Sequence, residues 1–301
     1  MVDSILESYI FLFLLEVILT KVLIAADMEG VTGVVHWDDV TISHPEYTRF
    51  RRLMTGDVNA AIRGCCRAGA EEIIVSDGHA FGRNILIEEI DERARLNTGT
   101  PAPHSMVQGV ANGVDGVMFV GYHARIGTPN AILEHTWSDS RVANFMIKGA
   151  DDTDYHPLGE IGLNAAVCGH FGVPVIMISG DRAACEEARV TIGEIETAII
   201  KWATGRMAAE CLPPAISQLI IEQAAYQAIS RLVASKIMGE AIKPMTISPP
   251  IDLAVDFVQS EMADKAAILP GARRIDRRVE YRSGDMLKAY EAFRSLLALA
   301  R

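Results

Sequence analysis

Four short apolar runs constrain this chain more than anything else in it. They are "KVLIAAD" (21–27), "EEIIVSD" (71–77), "GVMFVGY" (116–122) and "VPVIMISGD" (173–181). Each is too short for an ordinary helix, and none alternates apolar with polar residues. Such runs read as strands buried on both faces, the signature of a parallel sheet covered by helices. Two helical patterns lie between them. "YTRFRRLMTGDVNAAIRGCCRAG" (47–69) carries apolar residues at helical spacing and stops at Gly69 before the second run. "LGEIGLNAAVCGHFG" (158–172) does the same before the fourth. Strand, helix and strand at this spacing predict an α/β fold, a layered sheet with a mostly parallel βαβ core. The last third differs. A long helical pattern (213–240), a Pro-bounded strand (243–258), and a strand, Gly turn and helix (279–300) predict a smaller C-terminal α+β portion.

The 301 residues carry a formal net charge of −11. Nucleic-acid binding needs a basic face, so no nucleic-acid partner is expected. The five cysteines are an odd number and form no CxxC pair. Neither a disulfide partner nor a thiolate zinc site is expected, and the reducing cytoplasm is the expected compartment. Residues 1–20 hold an apolar stretch, "SYIFLFLLEVILT", interrupted by Glu16 and preceded by acids. A secretory leader needs a positive start, and the stretch is short for a membrane helix. A non-native start before Lys21, an amphipathic helix packed on the body, and a membrane anchor are the three readings.

Three of the runs end in polar clusters: Asp27 with Glu29, Asp77 with His79, and His123 with Arg125. In open α/β sheets the ligand site lies outside the carboxyl ends of the strands, so separate segments aim polar groups at one edge. In extended chain, residues two apart point the same way, so Asp27 and Glu29 present both carboxylates to one point. Two close carboxylates repel unless they share a proton or bind a cation. Taken singly, each residue also has a plainer reading: a helix cap for Asp27, a loop histidine for His79, an exposed strand-end histidine for His123. Glu160, in "HPLGEIGLNAA", suits a first helical turn whatever its role. Asn164 lies one turn later on the same face and, with Arg125, is a candidate for touching substrate. Together Asp27, Glu29, His79, His123 and Glu160 form an oxygen and imidazole set suited to zinc or a similar divalent ion in catalysis. Five ligands exceed what one catalytic zinc takes from protein. Two ions sharing a carboxylate use them all, an arrangement that serves hydrolysis.

These segments, "DMEGVTG" (27–33), "SDGH" (76–79), "GYHAR" (121–125), "EHTW" (134–137), "GEIGLNA" (159–165) and "VPVIMISGD" (173–181), occur here in one order. With "KPMTISPP" and "GDMLKAYEAF" nearer the end, the chain resembles the D-aminopeptidase family of zinc peptidases, peptidase family M55, from about Lys21 onward. The change of pattern near 205–212 divides the chain into an expected α/β metal-binding catalytic domain over 21–205 and a smaller α+β domain over 206–301. The resemblance implies two Zn2+ per subunit, with Asp27 bridging them and Glu29, His79, His123 and Glu160 as the other ligands. It implies that His135, which nothing in its spacing marks out, is the catalytic nucleophile or general base. The expected activity is release of N-terminal, D-configured residues from short peptides. The expected assembly is a homo-oligomer, a ring such as a decamer. Two rivals stand beside it: a metal-dependent phosphohydrolase, and a non-catalytic peptide-binding ring scaffold.

Overall fold

A computed structural model describes residues 19–301. The apolar extension expected at 1–20 therefore lies, but for its last two residues, outside the described residues. The strands are β1 (Lys21–Ala26), β2 (Glu72–Asp77), β3 (Ala94–Asn97), β4 (Gly116–Tyr122), β5 (Val142–Lys148), β6 (His156–Pro157), β7 (Val175–Asp181), β8 (Glu196–Gly205), β9 (Ala208–Cys211), β10 (Ile251–Phe257), β11 (Arg273–Ile275) and β12 (Arg278–Ser283). The helices are α1 (Trp37–Val40), α2 (Tyr47–Arg67), α3 (Glu160–His170), α4 (Arg182–Ile192), α5 (Pro214–Met238), α6 (Ser260–Ala266) and α7 (Met286–Leu299). All four apolar runs are strands, and the two helical patterns between them are α2 and α3.

One sheet runs β3-β2-β1-β4-β7-β8-β9 and is parallel except for the last strand. Along β1, Val22, Ile24 and Ala26 face a core shared with α2 and α5, while Leu23 and Ala25 face a second core. Burial on both faces explains why these strands show no polar alternation. The second sheet, β11-β12-β10-β5-β6, is antiparallel. It joins the second core through β5, β10 and α7. Both predicted architectures are present, a mostly parallel α/β layer and a smaller antiparallel one. The division drawn at 205/206 falls between the hairpin strands β8 and β9. Segments from both sides of it build each unit: α5 covers the first sheet, and β5 and β6 belong to the second.

Strand order reverses between β1 and β4. After β1 the chain moves outward through β2 and β3, then returns to β4 and moves the other way. This switch point leaves a crevice at the carboxyl ends of two adjacent strands. The crevice floor is main chain. Asp27 N donates to the Val120 carbonyl at 2.8 Å, and Gly30 N donates to the Gly121 carbonyl at 2.8 Å. A Cβ on Gly30 would overlap the Tyr122 carbonyl oxygen. Glycine is required here for close approach of two backbones. Gly30→Ala is expected to cost about 3 kcal/mol, the upper end for overpacking, read by urea denaturation of the metal-free protein. A wild-type midpoint would refute the pinch.

Candidate metal centre

The sheet gathers six residues from five segments of the chain at this crevice. Asp27 and Glu29 leave β1, His79 follows β2, His123 follows β4, His135 lies on the loop before β5, and Glu160 opens α3. Asp27, Glu29, His123, His135 and Glu160 are each at most 7% exposed. Asp27 faces two ways. Its Oδ1 lies 3.5 Å from His79 Nδ1 and its Oδ2 3.4 Å from His123 Nε2. Glu29 Oε2 lies 3.2 Å from the same His79 nitrogen, and Glu160 Oε1 3.2 Å from the same His123 nitrogen. His135 Nε2 stands 3.9 Å from Glu160 Oε1, and its ring stacks on His123 at 4.0 Å between centroids.

Main-chain carbonyls set each imidazole. His79 Nε2–H donates to Val40 O at 3.0 Å, His123 Nδ1–H to Ala124 O at 2.9 Å, and His135 Nδ1–H to Leu133 O at 2.8 Å. That bond fixes which nitrogen of each ring faces the carboxylates, and that nitrogen would supply the electron pair once a cation displaces any proton it holds. Glu160 Oε1 also accepts the Trp137 main-chain N–H at 2.7 Å.

Burial and the Glu29 charge push Asp27 up to about 7. Burial acts to raise Glu29 as well, but His79 holds it well below the usual carboxylate range. Burial opposes charge on His123, yet Glu160 and Asp27 push it up to about 10. His135 goes the other way, lowered by burial and by His123. Without a cation, the cluster neutralises its acids by holding protons on histidines. Three buried atoms even so have no hydrogen bond among the described residues: Asp27 Oδ2, Glu29 Oε2 and His123 Nε2. Orphaned buried donor atoms of this kind fit a divalent ion. Two overlapping groups lie close enough to hold one: Asp27, Glu29 and His123, and His123, His135 and Glu160.

A fixed cation underlies the loop after β1. Lys201 of β8 is fully buried, and its Nζ donates to the carbonyls of Glu29 at 2.6 Å, Val31 at 3.0 Å and Val34 at 2.6 Å. All three ammonium hydrogens are used, so the turn that presents Glu29 is tied to the far side of the sheet. Sequence reading missed this residue. It also missed Trp37 and Trp137, which line the same cavity. Two expected substrate contacts are not brought to it. Arg125 turns to its own loop, with its main-chain N–H on Glu187 at 2.8 Å and its guanidinium on the Ile126 carbonyl at 3.1 Å. Asn164 is fully buried behind the cluster, donating to Tyr122 Oη and Met106 Sδ at 3.2 Å each. The helical spacing that aligns Asn164 with Glu160 holds, but only the first turn of α3 reaches the crevice.

Fold and site define a class: an α/β protein whose switch point holds a buried carboxylate–imidazole cluster of the metallohydrolase kind. Comparison with known proteins narrows it. The family model described as peptidase M55, D-aminopeptidase, matches residues 20–295, and the chain belongs to that family. A D-aminopeptidase of Bacillus subtilis (strain 168) is 32% identical over 283 residues, covering 93% of this chain and 97% of the relative. The solved structure of the Zn-dependent D-aminopeptidase DppA from Bacillus subtilis, described as a self-compartmentalizing protease, superposes with a TM-score of 0.85. It is 31% identical and covers 93% of this chain and 98% of that one.

Proposed function

We propose that this protein is a zinc-dependent aminopeptidase that removes N-terminal D-amino acids from short peptides at a two-metal site, and that it works as a homo-oligomer. The observation carrying the two-metal reading is the divided aim of Asp27, one oxygen toward His79 and Glu29, the other toward His123 and Glu160. Asp27 would bridge, with Glu29 and His79 on one side and His123 and Glu160 on the other. Zinc, when bound, polarises the scissile carbonyl and lowers the pKa of water.

The chain's own groups do the rest. His135 presents an unprotonated Nε2 to the cavity, because its Nδ1 proton is committed to Leu133 O. It is placed to take a proton from the attacking water and return one to the leaving amine. Stacking on His123 and the edge of Trp37, 5.3 Å away, fix the ring's plane. The Trp137 N–H orients Glu160. Burial of the cluster keeps bulk water from competing for these groups. The Bacillus subtilis structure is described as self-compartmentalizing, which supports the assembly; a decameric ring is the form proposed.

The test is hydrolysis of D-Ala-D-Ala and L-Ala-L-Ala by zinc-loaded protein, with a chelator control and a phosphate ester beside them. The expected result is cleavage of the D-peptide, at least about tenfold faster than the L-peptide, abolished by chelation. Phosphate-ester cleavage with no peptide cleavage would overturn it.

A further inference from the structure

The cavity above the cluster, about 1220 Å³, is electrically lopsided. Asp27, Glu29 and Glu160 gather at the cluster. The wall made by the segment after His135 and by α7 carries Arg141, Arg294 and Arg301 against two acids, Glu291 and Asp139, and Asp139 is already paired with Arg206. Three guanidiniums on one wall run against a chain whose net charge is −11.

Arg141 is the most constrained of them. Its Nε donates to Ser138 Oγ at 2.9 Å and one terminal nitrogen donates to the Leu297 carbonyl at 2.9 Å. These two bonds fix the plane of the guanidinium. The other terminal nitrogen makes no hydrogen bond, and the side chain makes no ion pair, among the described residues. Elsewhere arginines meet acids: Arg278 pairs with Asp256 at 2.7 Å, and Arg206 with Asp139 at 2.6 Å. Burial and the charge of Arg301 both disfavour the Arg141 cation. Arg294 is likewise held by carbonyls, Pro103 at 2.7 Å and Ala102 at 3.1 Å, and also pairs with no acid among the described residues. A part-buried guanidinium that is held in place, faced by another cation and left without a carboxylate is a site for an incoming anion.

We propose that Arg141, with Arg294 on the same wall, receives the C-terminal carboxylate of the substrate, so that the enzyme takes short free peptides and discriminates against their amides. The inference rests on the aminopeptidase reading above. A free peptide carries its own opposite charges at its two ends, and the cavity offers each end its complement. Each added residue moves the carboxylate by about 3.3–3.6 Å, so a fixed guanidinium also selects a length.

The experiment compares kcat/KM on D-Ala-D-Ala and on its C-terminal amide, with the corresponding tripeptide pair, for zinc-loaded wild type, Arg141→Met and Arg141→Lys. Wild type is expected to prefer the better-fitting acid about 10- to 100-fold, mainly through KM, the scale of one hydrogen-bonded charge pair. Arg141→Met is expected to bring the acid-to-amide ratio close to one, and Arg141→Lys to keep part of it. The ratio is taken within one preparation, so a partly misfolded variant does not distort it. A wild-type ratio near one, or an undiminished ratio in Arg141→Met, overturns the proposal. So does loss of discrimination in Arg294→Met while Arg141→Met keeps it. If wild type cleaves neither compound, the aminopeptidase reading fails. Calorimetric binding of acid against amide to wild type and Arg141→Met then decides the carboxylate site, equal affinities overturning it.

Discussion

Asp27→Ala is expected to leave the protein unable to hold metal and to lower peptide hydrolysis on the order of 10⁴-fold, the loss seen when cooperating catalytic groups are broken up. The reason is geometric. Asp27 is the only residue of the cluster that faces both His79 and His123, 3.5 and 3.4 Å away. Removing it takes one ligand from each side at once, whereas removing Glu29 or Glu160 takes one from a single side. The variant's fold is expected to survive, because the change also relieves a buried carboxylate pressed against Glu29. Thermal denaturation separates the two effects. Zinc at about 100 times its dissociation constant is expected to stabilise the wild type by about 2.7 kcal/mol and the variant by nothing. Metal analysis showing full occupancy in Asp27→Ala would end the bridging assignment.

His135→Ala is expected to behave differently: metal content unchanged, turnover reduced about 10²- to 10⁴-fold, the range for a lost general acid–base group. Its Nε2 lies 3.9 Å from Glu160 Oε1, farther than the 3.2 Å that separates His123 from the same oxygen. That spacing suits a group working beside an ion better than one bound to it. Yet His135, His123 and Glu160 also lie close enough together to hold a metal. The variant decides. Loss of one metal equivalent would make His135 a ligand, and full activity would remove it from the mechanism altogether.

How much of this was legible in the sequence depended on what each element must satisfy. β1, β2, β4 and β7 are buried on both faces, and a short unbroken apolar run between helical patterns has little other use in an α/β fold. β8 was missed because Lys201 interrupts its apolar run. The lysine is buried all the same, its charge taken up by three carbonyls of a loop distant in sequence. β5 escaped notice because one of its faces is partly exposed and carries Asn144 and Lys148. At the site, Asp27, Glu29, His79 and His123 were visible as polar ends of buried strands, and the structure brings them together with Glu160. His135 was visible only by resemblance: its position depends on how a loop folds back to stack on His123. Arg125 and Asn164 are polar residues near the right strand and helix that the structure turns elsewhere, because periodicity alone does not fix their directions. Arg141, six positions after His135, drew no notice because nothing local distinguishes an arginine that pairs with an acid from one that waits for it.

The floor of the crevice and its walls answer to different demands. At the floor, Gly30 and Gly121 bring two backbones into contact, and neither has room for a side chain. The walls are side chains from separate places: Phe81 after β2, Trp37 at the start of α1, Trp137 before β5, Leu297 on α7. Phe81 is 56% exposed and holds up nothing beneath it. Selectivity can therefore drift, or be redesigned, by exchanging wall residues while the floor keeps its shape. A library centred on Phe81 would explore which peptides enter and leave alone the machinery that cuts them, whereas Trp37 also packs on His135 and Leu297 belongs to the core.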